Sequence, residues 1–219
     1  MFEAAILIVT PELAQSEFDA LLPLVSPKKQ ERLKSFKFFR DARNCLLGDL
    51  LARVEINRVA GLDAWKLEFT TNAYGKPLLV GRPRIHFNIS HAGDYIACAV
   101  ANEPVGIDVE VIKDTDLKIA ERFFAVDEMT YVTDGDSTRR FYEIWTKKES
   151  HIKWEGKGLH KSLPSFSVFE SSVQELPCIY HEIFVDDEAI CHVCSTKSTP
   201  PSVRTIAAFE LMQSINMRC

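Results

Sequence analysis

Val105-Gly106-Ile107-Asp108-Val109-Glu110 is the stretch that decides the fold. It reads as an apolar strand carrying two carboxylates at i and i+2, a spacing that points both side chains to one face of a sheet. Two acids side by side repel each other, and burial raises the cost of charging them. A cation between them removes both penalties, whereas two exposed acids on the polar face of an edge strand need no partner. Further along, Trp145-Thr146-Lys147-Lys148-Glu149-Ser150-His151-Ile152-Lys153 places a third carboxylate, Glu149, on a strongly patterned helix, one turn before Lys153.

The chain has 219 residues, enough for one large domain or two lobes, and its 46% hydrophobic and 26% charged residues are ordinary for a globular protein. No apolar run is long enough to span a bilayer. The apolar start, Met1 to Val9, carries Glu3 and lacks a basic region or cleavage site, so it reads as a first strand and a cytoplasmic location is expected. The six cysteines are irregularly spaced and expected to be free thiols. Cys191 and Cys194 match C-x-x-C, but on a strand i and i+3 point to opposite faces, and no second ligand pair follows. The net charge of −5 disfavours nucleic acid as a partner. Against it stands a local basic segment, Lys28, Lys29, Arg32, Lys34, Lys37, Arg40 and Arg43, which suggests a discrete anionic ligand.

Thr10-Pro11 and Ser26-Pro27 each predict a helix start. Asp41 to Val59 has a stripe of Leu46, Leu47, Leu50, Leu51 and Val54, with Ile56 falling off it. Arg43 lies near the start of that helix, where backbone N–H groups also favour anions. A strand at Leu67 to Thr70, a turn through Tyr74-Gly75-Lys76-Pro77, the stretch His86-Phe87-Asn88-Ile89-Ser90-His91 and a strand from Tyr95 to Val100 suggest a meander with the Val105 strand at its far edge. Helices follow at Leu117 to Phe124, Val126 to Tyr131 and Ser137 to Trp154, the last stopped by Gly156-Lys157-Gly158. Phe166 to Phe169, Ile179 to Phe184, Ala189 to Val193 and Thr205 to Phe209 read as short strands. The expected class is α+β, with two similar α/β lobes, residues 1–104 and 105–219.

The Val105–Glu110 and Trp145–Lys153 motifs together resemble the signature of the 4′-phosphopantetheinyl transferases, in particular the two-lobed, surfactin-synthetase-activating type. The likeness extends to Trp154-Glu155-Gly156-Lys157-Gly158-Leu159, Tyr74-Gly75-Lys76-Pro77, His86–His91 and Leu46-Leu47-Gly48-Asp49, and is weakest near the C-terminus. It implies two lobes related by a pseudo-two-fold with the active site in the cleft between them, and a monomer. It also implies transfer of phosphopantetheine from coenzyme A to a serine of an apo acyl- or peptidyl-carrier protein, dependent on Mg²⁺, with Mn²⁺ as an alternative ion, and with no membrane partner.

That reaction is a phosphoryl transfer and needs a divalent ion on the pyrophosphate, an activated alcohol and charge relief on the leaving 3′,5′-ADP. The resemblance assigns the ion to Asp108, Glu110 and Glu149, an oxygen set of the kind Mg²⁺ accepts. Glu149 is also the expected base, and Lys153, on the same helix face, the group that neutralises pyrophosphate charge. Coenzyme A contacts fall to Lys76, Ser90, His91, Lys29, Arg32 and Asp108, with Arg43 an addition; Lys148 either binds phosphate or faces water. Phe141 and Trp145 are expected to be core anchors and Asn88 a structural hydrogen bonder. Part of Leu117 to Tyr131 is expected to form the carrier-docking surface. A pyrophosphatase using the same acids on water, and a binding module without turnover, are the competing readings.

Overall fold

The computed structural model describes residues 1–10, 13–158, 162–169 and 177–216. Leu159, and Pro11 of the expected Thr10-Pro11 helix start, fall outside these. The elements are β1 (Phe2–Ile8), α1 (Gln15–Leu21), α2 (Pro27–Lys34), α3 (Phe39–Ala60), β2 (Phe69–Thr71), β3 (Pro77–Leu79), β4 (His86–Ala92), β5 (Tyr95–Ala101) and β6 (Gly106–Val111), then α4 (Lys118–Phe123), α5 (Val126–Thr133), α6 (Ser137–Glu155), β7 (Ile179–Asp186), β8 (Ala189–Ser195), β9 (Ser202–Ala207) and α7 (Ala208–Asn216).

The fold is α+β with two lobes. One sheet has the order β4-β5-β1-β9 and the other β6-β8-β7, beside a separate β2-β3 hairpin. Alternation along the strands builds the layers. In the first sheet Leu7, Ile96, Cys98 and Val100 face α3, where they pack on Leu46, Leu47, Leu50 and Leu51. Their neighbours Ala4, Ile6, Ala97 and Ala99 face the second sheet, against Val105, Ile107, Val109, Cys191 and Val193. The outer face of the second sheet is covered by α4, α5 and α6, through residues such as Ile144, Ile152, Phe124 and Ile190. Small alanines in the middle layer let the two sheets approach closely.

Two local signals hold, at Ser26 and Gly156, and the structure adds a cap at Asp136. Ser26 Oγ accepts from the Lys29 amide at 3.3 Å with Pro27 in the first turn of α2. Asp136 caps α6 by accepting from the Arg139 amide. Gly156 ends α6 at φ 69°, the left-handed region that favours glycine.

Four expectations are corrected. α1 starts at Gln15, where Glu17 reaches back to accept from the Ala14 amide at 2.8 Å. Ile56 is fully buried. Phe166 to Phe169, expected as a strand, are irregular and follow a single 3₁₀ turn at Leu163–Ser165. The strand carrying Asp108 opens the second sheet instead of ending the first. At the C-terminus the chain returns to the first lobe. β9 pairs in parallel with β1, and Ile206, Leu211 and Ile215 join the core of the first lobe.

Candidate functional site at the lobe junction

Asp108 and Glu110 project from β6 toward α6, since Ile107 and Val109 fill the opposite face. Helix α6 comes down on this strand at Gly106. A Cβ there would overlap the Ser150 carbonyl oxygen and the Trp154 amide nitrogen, so the close approach requires glycine. Glu149 and Lys153, one turn apart, are thereby delivered to the carboxylate face. From the first lobe, β4 is fastened alongside: Asn88 Oδ1 accepts from the Ile107 amide at 2.9 Å, the structural part expected of it.

Lys153 joins the lobes. Its Nζ donates to Asp108 Oδ1 at 2.6 Å and to Ser90 Oγ at 2.8 Å, and Ser90 Oγ donates to Asp108 Oδ1 at 2.8 Å. Among the described residues, one N–H of the ammonium has no acceptor. Asp108 Oδ2 is buried and makes no hydrogen bond among the described residues. Burial and the Asp108 charge push Glu110 up to about 7, against the opposing pull of Lys153 and Lys113. Burial and Asp108 also raise Glu149, again opposed by Lys153. An orphaned buried carboxylate oxygen beside two acids that resist ionisation fits a divalent cation, and the all-oxygen donor set suits Mg²⁺.

The remaining expected residues divide. His91 and Glu110 border a cavity of about 330 Å³ together with Arg40, Asn44, Gly93 and Lys113. His91 is exposed, yet partial desolvation of its imidazole among the surrounding chain, and then the ammonium of Lys153, hold its pKa below the usual value. Lys29 is half-buried, 3.7 Å from Asp49 Oδ2, and its charge also acts on His91. Arg32 is exposed. Lys76 points its ammonium into the junction, donating to Val105 O at 3.0 Å and Trp154 O at 3.3 Å, and burial lowers it to about 8. Its hairpin turn is tied to the end of α6 by Asn72 Nδ2, which donates to Gly156 O at 2.7 Å. The Gly-Lys-Pro and Gly-Lys-Gly motifs are therefore neighbours in space.

Two residues leave the site. Lys148 is fully buried, paired with Glu128 at 2.8 Å and donating to Leu163 O and Phe166 O. It does not face water and its ammonium is taken up inside the second lobe, because Ile144 and Ile152, one turn either side, put it on the buried stripe of α6. Arg43 is 1% exposed and donates to Asp94 Oδ1 at 2.8 Å and Asn44 Oδ1 at 3.0 Å, pinning α3 to the β4–β5 turn. Leu46, Leu47 and Leu50 share its face. Phe141 and Trp145 stack at 5.7 Å within the α6 core, as expected. Sequence reading missed Asn44 and Lys113 as cavity residues, for which a polar side chain beside an apolar stripe is too weak a signal.

A carboxylate face on a sheet strand, met by a glutamate and lysine of one helix turn between two α+β lobes, defines a class of group transferase. Residues 104–208 match the family model of the 4′-phosphopantetheinyl transferase superfamily, and residues 11–103 that of the 4′-phosphopantetheinyl transferase N-terminal region. The chain belongs to this superfamily. It is 38% identical over 210 residues to the 4′-phosphopantetheinyl transferase Sfp of Bacillus subtilis (strain 168), covering 90% of this chain and 94% of that protein. It is 37% identical over 196 residues to the 4′-phosphopantetheinyl transferase psf-1 of Bacillus pumilus, with 84% of each covered. To the 4′-phosphopantetheinyl transferase gsp of Aneurinibacillus migulanus it is 32% identical over 228 residues, covering 99% of this chain and 95% of that protein. No described helix is long and apolar enough to cross a membrane.

Proposed function

We propose that this phosphopantetheinyl transferase moves the 4′-phosphopantetheine arm of coenzyme A to a serine of an apo acyl- or peptidyl-carrier protein, acting as a monomer with a divalent cation held by Asp108, Glu110 and Glu149. The observation that carries the reading is the buried, unpartnered Asp108 Oδ2 beside two carboxyls whose ionisation is suppressed. When bound, the cation supplies charge neutralisation on the pyrophosphate oxygens. Mg²⁺ is the expected ion, with Mn²⁺ an acceptable substitute of the same hard-oxygen preference.

The chain's own groups do the rest. Glu149, its pKa raised by burial and the Asp108 charge, takes the proton of the attacking serine hydroxyl. The serine oxygen forms a bond to the phosphorus that carries the pantetheine arm, and the bond to 3′,5′-ADP breaks. The free N–H of Lys153 donates to the charge that develops on the leaving group. His91 at the cavity rim, Lys29, whose charge acts on that imidazole, and the exposed Arg32 bind the anionic end of coenzyme A, with Ser90 and Asp108 buried deeper in the junction. Lys76 positions the hairpin against α6 and keeps one N–H for the ligand. Val126 and Ile119, exposed on α5 and α4 directly after the metal strand, support docking of the carrier there.

The test is a time course of 3′,5′-ADP release with coenzyme A, Mg²⁺ and an apo carrier, beside a carrier whose acceptor serine is replaced by alanine. Release matching holo-carrier formation, and absent with the alanine carrier, is the expected result. Release without a competent acceptor would make the protein a pyrophosphatase.

A further inference from the structure

Two residues turn a helix through roughly 200°, so His151, between Glu149 and Lys153 in sequence, points away from both. It meets a second group of ligands. Cys194 lies on β8 and Cys178 just before β7, and the three side chains are 1%, 3% and 0% exposed for His151, Cys178 and Cys194. One ligand atom from each lies within 4.8 Å of the others. Cys178 Sγ is 2.8 Å from Cys194 Sγ and 3.3 Å from His151 Nδ1. Tyr180 OH stands 2.8 Å from the same Nδ1.

We propose that His151, Cys178 and Cys194 bind a soft divalent cation of the zinc class, in a structural site separate from the carboxylates. The donor set is two sulfurs and an imidazole nitrogen, which selects zinc-like ions over Mg²⁺. The imidazole is already oriented as a metal ligand. Its Nε2 faces Glu155 Oε1 at 3.2 Å, and a carboxylate on the outer ring nitrogen fixes the tautomer that turns the Nδ1 lone pair toward Cys178 Sγ. Its plane is held by stacking on Phe166 at 4.5 Å. Tetrahedral zinc needs its sulfurs about 3.8 Å apart and sulfur and nitrogen about 3.5 Å apart, from bond lengths of about 2.3 and 2.0–2.1 Å. The cluster reaches that geometry by an opening of about 1 Å between the sulfurs and a few tenths of an ångström at the imidazole. Tyr180 OH is placed to be the fourth donor.

The site would clamp the last turn of α6 to β8 and to the entry of β7, behind the helix that carries Glu149 and Lys153. It also gives the Cys191/Cys194 pair its resolution. Cys191 lies on the opposite face of β8, in the core between the sheets, so Cys194 finds its partners in the third dimension.

Cobalt(II) is the probe. The full-length protein, dialysed against chelator under reducing conditions, is titrated with Co²⁺ in excess Mg²⁺ and its absorption recorded. One equivalent giving a thiolate-to-cobalt charge-transfer band and strong tetrahedral visible bands, displaced by Zn²⁺ but not by Mg²⁺, is expected. Glu149→Gln keeps the bands; Cys178→Ser and Cys194→Ser, checked for folding by circular dichroism, lose them. Equimolar Zn²⁺ raises the wild-type melting temperature by several degrees, as binding to the folded form alone requires. Absence of the charge-transfer band in the wild type, its survival in Cys194→Ser, or its displacement by Mg²⁺ overturns the site. So does a protein mass lower by two hydrogens with Cys178 and Cys194 cross-linked under those conditions, since a disulfide leaves no thiolates to coordinate.

Discussion

Lys153 Nζ lies 2.6 Å from Asp108 Oδ1, an ion pair across the seam where α6 of the second lobe meets β6 and, through Ser90, β4 of the first. Asp108 is almost fully enclosed and the lysine side chain about a quarter exposed. The pair fixes one carboxylate oxygen; the other, without a hydrogen bond among the described residues, is the proposed cation ligand. Replacing Lys153 with Gln leaves Asp108 partly uncompensated. The expected loss is on the order of 2 kcal/mol, between the values for exposed and buried pairs. Urea denaturation should show that loss reduced by millimolar Mg²⁺, with transfer still impaired. A loss indifferent to Mg²⁺ would detach Asp108 from the metal.

In chelator, Glu110 and Glu149 should contribute stability that is lost as pH rises. Glu110 is pushed up to about 7 and Glu149 is also raised, so between the ordinary carboxyl range and about 7 the folded chain binds more protons than the unfolded one. The slope of unfolding free energy against pH is then negative. His86, His91 and His192, held below the usual histidine value by burial, contribute the opposite slope up to about 6.5, so the acids' share is read as the difference in melting temperature between wild type and Glu110→Gln. That difference should move against the wild type from pH 5 to about 7 and level off above; a difference that does not change with pH would contradict the crowding of the three acids.

Lys148→Met tests the reassignment of that residue. It strands Glu128, which also accepts from the Ala125 and Val168 amides, in a fully buried place. The expected cost is about 3–5 kcal/mol, partly recovered by adding Glu128→Gln. In the folded fraction the KM for coenzyme A should be unchanged. A tenfold rise in KM would return Lys148 to the ligand site.

His91→Ala and Lys29→Ala should each raise the KM for coenzyme A by about 10- to 100-fold, the range of a lost charge-assisted hydrogen bond, with little change in kcat. Steady-state kinetics at saturating carrier gives the split. An unchanged KM would remove the cavity rim from coenzyme A binding.

Much of this was legible along the chain because it is local. The spacing of Asp108 and Glu110, the turn between Glu149 and Lys153, and the stop at Gly156 are fixed by backbone geometry over a few residues. The phase of a helix was legible too and went unused at two places. Lys148 shares a face with Ile144 and Ile152, and Arg43 with Leu46 and Leu50; that placement outweighs the charge of either side chain. What local pattern does not carry is return topology. Nothing near Ser202 announces pairing with β1, and the meeting of His151, Cys178 and Cys194 depends on how α6 lies on the second sheet.

The most direct test of the account is the intact mass of an apo carrier protein after incubation with coenzyme A and either wild-type protein or Glu149→Gln, each with Mg²⁺ or with EDTA. The account predicts a gain of one phosphopantetheine only with the wild type and Mg²⁺, the variant remaining folded and inactive. Modification by Glu149→Gln at a near wild-type rate, or by the wild type in EDTA, would contradict it.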